Sequence, residues 1–209
     1  MATLSSTLAA DPADTTAPNP FASVTGSFFG VDFNPVVDRL RVVSDTGQNL
    51  RINVASGLTQ FDVAAAYAGS DANNGSPPMI VASAYSNNTT GGSATTLFAL
   101  DAALSTLDTQ TPANDGTLNT VAITSSSVFG DAAFDISGAT GTAFVVLDGL
   151  TLGTLNTSTG VVTEIGAIGT VGSISGLAVL GIPEPGGVLM GLIGLSSVLA
   201  ARRRQRPDS

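Results

Sequence analysis

The residues best placed to do chemistry in this chain are acids and amides near its start. Asp32, Asn34, Asp38 and Asp45 follow one another closely, with Asn49 just beyond. Hard oxygen ligands at such spacing could hold Ca²⁺ in a loop, with Asp32, Asn34 and Asp38 as the metal set. The spacing is not that of an EF-hand, because no Gly and no terminal Glu stand at the required offsets. The competing reading is a turn at Asp32 and Asn34-Pro35, with Asp38 paired to Arg39, Arg41 or Arg51. A second pair, Asp32 and Asp135, recurs at equivalent places in an internal repeat. Paired carboxylates can hydrolyse glycosides, but repeat-equivalent positions more often make equivalent turns.

Other reactive constellations are missing from the chain itself. It has no His and no Cys, so a Ser-His-Asp triad, a thiolate nucleophile and a zinc-thiolate site cannot be built. No Gly-x-Ser-x-Gly elbow surrounds any Ser, and no Lys exists to complete a phosphate-binding loop. Tyr67, Tyr85 and the scattered Phe residues form no aromatic platform for sugars. Phe28, Phe33, Phe98, Phe134 and Phe144 read as core. Asn87-Asn88-Thr89 and Asn156-Thr157-Ser158 fit a glycosylation sequon and read as turns. No catalytic residue is assigned, and the chain is expected not to be an enzyme. No cofactor is assigned; any metal site would be an all-oxygen one that favours calcium or magnesium, with calcium the candidate for the set above.

The elements that must position these residues are strands. Short apolar runs at 27–33, 39–44, 49–54, 80–86, 96–100, 119–123, 132–136, 142–147, 152–156 and 161–166 are separated by Gly, Asn, Asp and Ser turns. In Leu40-Arg41-Val42 and Leu50-Arg51-Ile52 the alternation puts Arg on the wet face. Two phrases recur. Gly30-Val31-Asp32-Phe33 is answered by Ala133-Phe134-Asp135-Ile136. Asn49 to Gly57 is answered by Leu152 to Gly160, and more loosely by Thr96 to Ala102. The unit repeats about every 45–55 residues, a period that suits β-propeller blades. The expected fold is all-β, with about three propeller-like blades, and the segment 174–179 would be a last strand. A propeller closes with about four blades or more, so three would leave edges open.

The 209 residues carry 43% hydrophobic and only 11% charged residues. Four of the seven basic residues lie in the last eight positions, so residues 1–201 hold three Arg against fifteen acids, a net charge of −12. Such a body repels phosphate backbones, which excludes nucleic acid as a partner. The tail reads Pro183-Glu184-Pro185, an uncharged apolar run at 186–201, then Arg202, Arg203, Arg204 and Arg206. Sixteen residues of helix span about 24 Å, a little short of a hydrocarbon core, and snorkelling Arg can absorb the difference. By the positive-inside rule the Arg end stays cytoplasmic and the body lies outside. The expected organisation is a flexible segment at 1–26, a β-repeat domain at 27–181 and a tail at 182–209 whose apolar helix crosses the membrane. The first residues hold no basic n-region and no apolar run of a secretory signal, so an N-terminal part is expected to be missing.

Two resemblances follow from these residues. The order Pro-Glu-Pro, apolar helix, basic end resembles the PEP-CTERM sorting signal. That likeness implies export, transient anchoring in the inner membrane, processing by an exosortase-type membrane transpeptidase, and a setting among bacteria that make exopolysaccharide. The string FGVDFNPVVDRLRVVSDTGQNLRIN at 29–53 resembles the core of the domain-of-unknown-function family numbered 4394. Ala84 to Asn88, Thr95 to Asp101, Leu107 to Gln110 and Pro112 to Leu118 continue the likeness, which runs from about Ser27 to Leu180. It implies an exported, repeat-built β domain whose relatives carry further repeats upstream, and it implies no known activity. The resulting expectation is a structural or interaction protein of the cell surface or extracellular matrix. The alternatives are a carbohydrate-binding module of the exopolysaccharide matrix, or a piece of a hydrolase whose active site lies upstream.

Overall fold

In the computed structural model, residues 7–15, 20–89, 91–127, 132–169 and 172–179 are described. Their regular structure is entirely β, without a helix. Three antiparallel meanders follow one another along the chain. The first sheet holds β2 (Phe29–Asn34), β3 (Arg39–Ser44), β4 (Asn49–Ile52) and β5 (Leu58–Phe61), with β1 (Ala9–Ala10) added parallel to β5. The second holds β7 (Ile80–Tyr85), β8 (Leu97–Asp101), β9 (Thr106–Gln110) and β10 (Thr117–Ile123), with β6 (Ala66–Tyr67) added parallel to β10. The third holds β11 (Ala133–Ile136), β12 (Ala143–Leu147), β13 (Thr151–Leu155) and β14 (Val162–Ala167). The first strands of the three meanders are neighbours, β2 against β7 and β7 against β11.

Local sequence explains most of these elements. β-branched and aromatic residues fill the strands, and the turns use residues that tolerate a left-handed backbone. The turn between the last two strands of a meander is set alike in the first and third sheets. Asn53 and Asn156 accept the N–H of Gly57 and Gly160 at 2.7 and 2.9 Å, and their side chains accept Ala55 and Ser158 N–H. Gly57, Gly116 and Gly160 hold φ of 76°, 62° and 69°, a region that costs any residue with a Cβ. Each of these glycines then does the same second job. Its carbonyl accepts an N–H from the segment that precedes its own sheet: Ala9 on Gly57 at 3.0 Å, Ala66 on Gly116 at 2.9 Å, Ser125 on Gly160 at 3.0 Å. The repeat seen in the sequence is therefore a repeat of hydrogen bonds.

Two cores lie between the sheets. Val43, Ala65, Tyr67, Ile80, Ala99 and Leu118 join the first sheet to the second. Val81, Ala84, Leu100 and Leu107 meet Phe134, Ile136, Val145 and Leu155 between the second and third. A third cluster, Phe21 with Val42, Leu50 and Ile52, covers part of the other face of the first sheet. Both faces of β3 are thus packed, and this corrects one expectation. Arg41 does not face water; it is 1% exposed, because the face it shares with Val43 is the one that meets the second sheet. Arg51, on the same face, is partly buried.

The first and second sheets come close together at Gly30. A Cβ added there would lie 2.5 Å from both the backbone N and the Oγ of Ser83 on β7. A backbone atom cannot step aside as a side-chain tip can, so Gly30→Ala should lower stability by about 1–3 kcal/mol. A fall in the urea midpoint without a change in slope would show it.

The expected last strand at 174–179 joins no ladder, although residues 173–179 carry no turn or bend. Among the described residues, no helix is long and apolar enough to cross a membrane. The expected membrane helix and the whole tail at 182–209 lie outside the described residues.

Candidate functional site

Strands β2, β7 and β11 and residues 175–178 border an open concavity of about 440 Å³, whose lining includes Phe29, Val31, Ala82, Ser83, Phe134 and Leu177. Two aspartates belong to the strands that border it, and they are built alike. Asp32 Oδ1 accepts its neighbour Phe33 N–H at 2.7 Å, and Asp135 Oδ1 accepts Ile136 N–H at 2.7 Å. Their second oxygens reach across to the next element: Asp32 Oδ2 accepts Tyr85 N–H at 2.6 Å, and Asp135 Oδ2 accepts Val179 N–H at 2.5 Å. Burial pushes Asp32 up to about 6; the Tyr85 N–H works against this and the nearby Asp135 adds to it. The Asp32–Asp135 pair predicted from the repeat is thus within electrostatic reach. Its four oxygens are committed to four backbone N–H groups, so the two carboxylates clasp β2 to β7 and β11 to the segment at 179 rather than stand free as an acid and a base.

Such a clasp can be tested directly. Charge-assisted hydrogen bonds contribute about 1.5–3 kcal/mol. Asp135→Ala should therefore speed amide exchange at Val179 by roughly 10- to 100-fold. Unchanged protection at Val179, read by NMR, would mean that the carboxylate holds nothing there.

The residues proposed for calcium do not fit the ion as a set. Asp32 points its carboxylate at β7 and the Phe33 N–H. Asn34 Oδ1 accepts Val36 and Val37 N–H at 2.9 and 3.3 Å, closing its own turn. Asp38 is exposed, with φ of 50°. Asp45 Oδ1 accepts Ser27 N–H at 2.9 Å, and Asn49 is buried against Arg41. Among the described residues, no group of three or more acidic side chains converges as a metal site.

Two buried polar clusters were not foreseen. Arg41 binds Asn49 Oδ1 at 2.8 Å, Asp62 Oδ2 at 2.7 Å, Asn114 Oδ1 at 2.6 Å and the Tyr85 hydroxyl at 3.3 Å. Asp62 also takes Arg51 through both oxygens, at 2.7 and 2.8 Å, and this holds the Arg51 guanidinium above its ordinary pKa. The acid partner of both arginines is therefore Asp62, not Asp38. In register, Arg41 stands opposite Asp32 on β2 as Phe144 stands opposite Asp135 on β11. The first sheet thus has a cation where the third has an aromatic ring. No local pattern marks Asp62, which simply ends a run after β5; the signal for Arg41 was this exchange within the repeat.

The second cluster sits deeper in the second sheet. Tyr67 Oη donates to Asp101 Oδ2 at 2.8 Å and lies 3.2 Å from Asp108 Oδ2. Thr106 Oγ1 also donates to Asp108, at 2.9 Å. Both acids are 0% exposed, and Asp108 Oδ1 has no hydrogen-bond partner. Burial, aided by Asp101, pushes Asp108 up to about 6. Burial likewise raises the Tyr67 phenol. With no exposure, these groups can hold a proton but cannot meet a substrate.

No curated protein and no solved structure shows a match to the chain. A family model does match, over residues 3–178, which takes in all three sheets and the β1 segment ahead of them. The chain belongs to the family described as a domain of unknown function, DUF4394.

Proposed function

We propose that the protein is a structural or interaction module of the bacterial surface or extracellular matrix, built from three propeller-like units and delivered by a PEP-CTERM tail. The observation that carries the module reading is the use made of its ionisable groups. Arg41 and Asp32 are spent on joining the first sheet to the second, Asp62 on pairing Arg41 and Arg51, and Asp135 on holding the segment at 179. The propeller-like reading draws on the three successive meanders, the adjacency of their first strands and the recurrent glycine-carbonyl anchor. The sorting reading draws on the tail sequence: Pro183-Glu184-Pro185, the apolar run and the Arg cluster. Its partners are then an exosortase-type transpeptidase and, transiently, the inner membrane. Mass spectrometry of the intact protein from fractionated cells tests this. A mature form outside the cell, lacking residues 186–209, is expected; a full-length form confined to the cytoplasm overturns it.

One observation favours a carbohydrate-binding role on the same scaffold. A concavity of about 670 Å³ on the third sheet is lined by Thr142, Thr154, Asn156, Thr157, Ser158 and Thr163 among others. Hydroxyl and amide groups at that density suit a polyhydroxylated ligand. Saturable binding on a glycan array, lost on Thr154→Val with Thr163→Val, is the expected result; binding unaffected by that pair would remove this role.

A further inference from the structure

Covalent chemistry that needs no His, Cys or Lys is still open to this chain. An Asn followed by Gly can lose its side-chain amide to its own backbone, because glycine has no Cβ to shield the attacking nitrogen. Asn or Asp stands before Gly at 74–75, 115–116 and 148–149. The fold treats the three steps differently.

At 116 and 149 the glycine is buried. Gly116 donates its N–H to the Ala113 carbonyl at 3.3 Å, and its Cα packs so tightly on the Val63 and Ala64 carbonyls that a Cβ would collide with them. A Cβ on Gly149 would collide with Ser173, and the Gly149 carbonyl accepts Ile174 N–H at 2.9 Å. Asn74 and Gly75, by contrast, are both exposed. A Cβ on Gly75 would meet nothing within 4 Å. Ser76 N–H closes the turn on the Asn73 carbonyl at 2.9 Å, with Gly75 at φ of 86°, the left-handed value that this place in a turn asks of a glycine. Neither the Gly75 N–H nor the Asn74 side chain has a hydrogen-bond partner among the described residues, which include the whole run 20–89. The anchors of this loop hold it to β10 and leave its tip outside. Asp71 accepts Thr120 N–H at 2.6 Å and Thr120 Oγ1 at 2.9 Å, and Asn73 Nδ2 donates to Thr120 Oγ1 at 2.9 Å. Both reacting groups are thus wet and free, and no packed neighbour has to move for them to meet.

We propose that Asn74-Gly75 is a site of spontaneous self-modification, at which the folded protein converts Asn74 to aspartate and isoaspartate, and that the fold confines this reaction to that turn. The Gly75 backbone nitrogen attacks Asn74 Cγ. The N–Cγ bond forms, the Cγ–Nδ2 bond breaks, and ammonia leaves with the proton from the Gly75 nitrogen. Water then opens the cyclic imide at either carbonyl. Opening at Cγ leaves aspartate. Opening at the main-chain carbonyl leaves isoaspartate, whose backbone runs through the side chain and is longer by a carbon. Nothing is oxidised or reduced. Each product adds a carboxylate to a chain already at net −9, in the same loop as Asp71.

The test holds full-length protein folded in mildly alkaline buffer and a second sample unfolded in urea. Both are digested and mapped by mass spectrometry for aspartate and isoaspartate at 74 and for isoaspartate at 115 and 148, where the same attack expels water. At Asn74 the folded rate should lie within about tenfold of the unfolded one, since an exposed turn opens at almost no free-energy cost. At Asp115 and Asp148 folding should slow the reaction by more than about tenfold. Suppression at Asn74 as strong as at the other two overturns the proposal, and so does a lack of suppression at all three. Asn74→Gln, which would have to close a larger ring, should leave that peptide unmodified over the same interval. A product persisting there would belong to Asn73 and would also overturn the proposal.

Discussion

Replacing Arg41 by Ala should cost about 3–5 kcal/mol of folding stability, the usual penalty for removing one partner of a buried ion pair. The guanidinium is 1% exposed and satisfies Asp62, Asn49 and Asn114 together. Without it the Asn114 oxygen loses its donor, and Asp62, 2% exposed, keeps only Arg51. Arg41→Phe should not rescue the loss, although Phe144 fills the matching place on β12. A ring restores volume but leaves the same oxygens unpaired. Arg39→Ala, whose guanidinium reaches the Val37 and Asp38 carbonyls among the described residues, should change stability by less than about 0.5 kcal/mol. Urea unfolding of the three variants checks this. In a cycle with Asp62→Ala the losses should fall short of additive, and strict additivity would mean that the pair is not coupled.

Asp108 should make the protein less stable as pH rises from 4 to 7. Its carboxyl moves from the ordinary 3.8 to about 6 in the fold. Below pH 3.8 both folded and unfolded chains hold the proton. Between 3.8 and 6 the folded chain holds it and the unfolded chain has released it, so each rise in pH favours unfolding. Above 6 the loss is complete, at about 3 kcal/mol in all, because each tenfold change in proton affinity is worth about 1.4 kcal/mol. Asp32, raised to about 6 mainly by burial, works in the same direction. Asp108→Asn keeps an oxygen for Thr106 to donate to and carries no charge. The variant should be more stable than the parent at pH 8, by up to about 3 kcal/mol, and the gap should close by pH 4. Unfolding curves that stay parallel from pH 4 to 8 would show that Asp108 does not carry the effect.

The strands that were legible are those whose outward pattern is apolar. β3 and β12 are read from the sequence almost to the residue, and β2, β7 and β11 within a residue or two. β5 and β9 were not legible. Leu58-Thr59-Gln60-Phe61 and Thr106-Leu107-Asp108-Thr109-Gln110 look like polar loops. Yet Thr59, Asp108 and Gln110 are buried, with Thr59 bonded to the Gly57 carbonyl, Asp108 to Thr106 and Gln110 to the Ala113 carbonyl. The short parallel additions β1 and β6 were equally hidden, since two residues of Ala or Tyr carry no period.

By itself the sequence determined the β content, the position of most turns, the threefold echo, and the exclusion of thiol, imidazole and amine chemistry. Those features are local: a strand's alternation, a turn's Gly or Asn, or the plain lack of a residue type. Only the tertiary structure decided what each polar side chain does. Arg41 looks solvent-facing because its neighbours alternate, and it is buried because the second sheet covers that face. Asp32 and Asp135 look like ligands or turn residues, and they bind backbone N–H groups 53 and 44 positions away. Tyr67 finds its acids 34 and 41 positions on. Alternation states that a strand has two faces; whether the polar face meets water or another sheet depends on how distant segments pack.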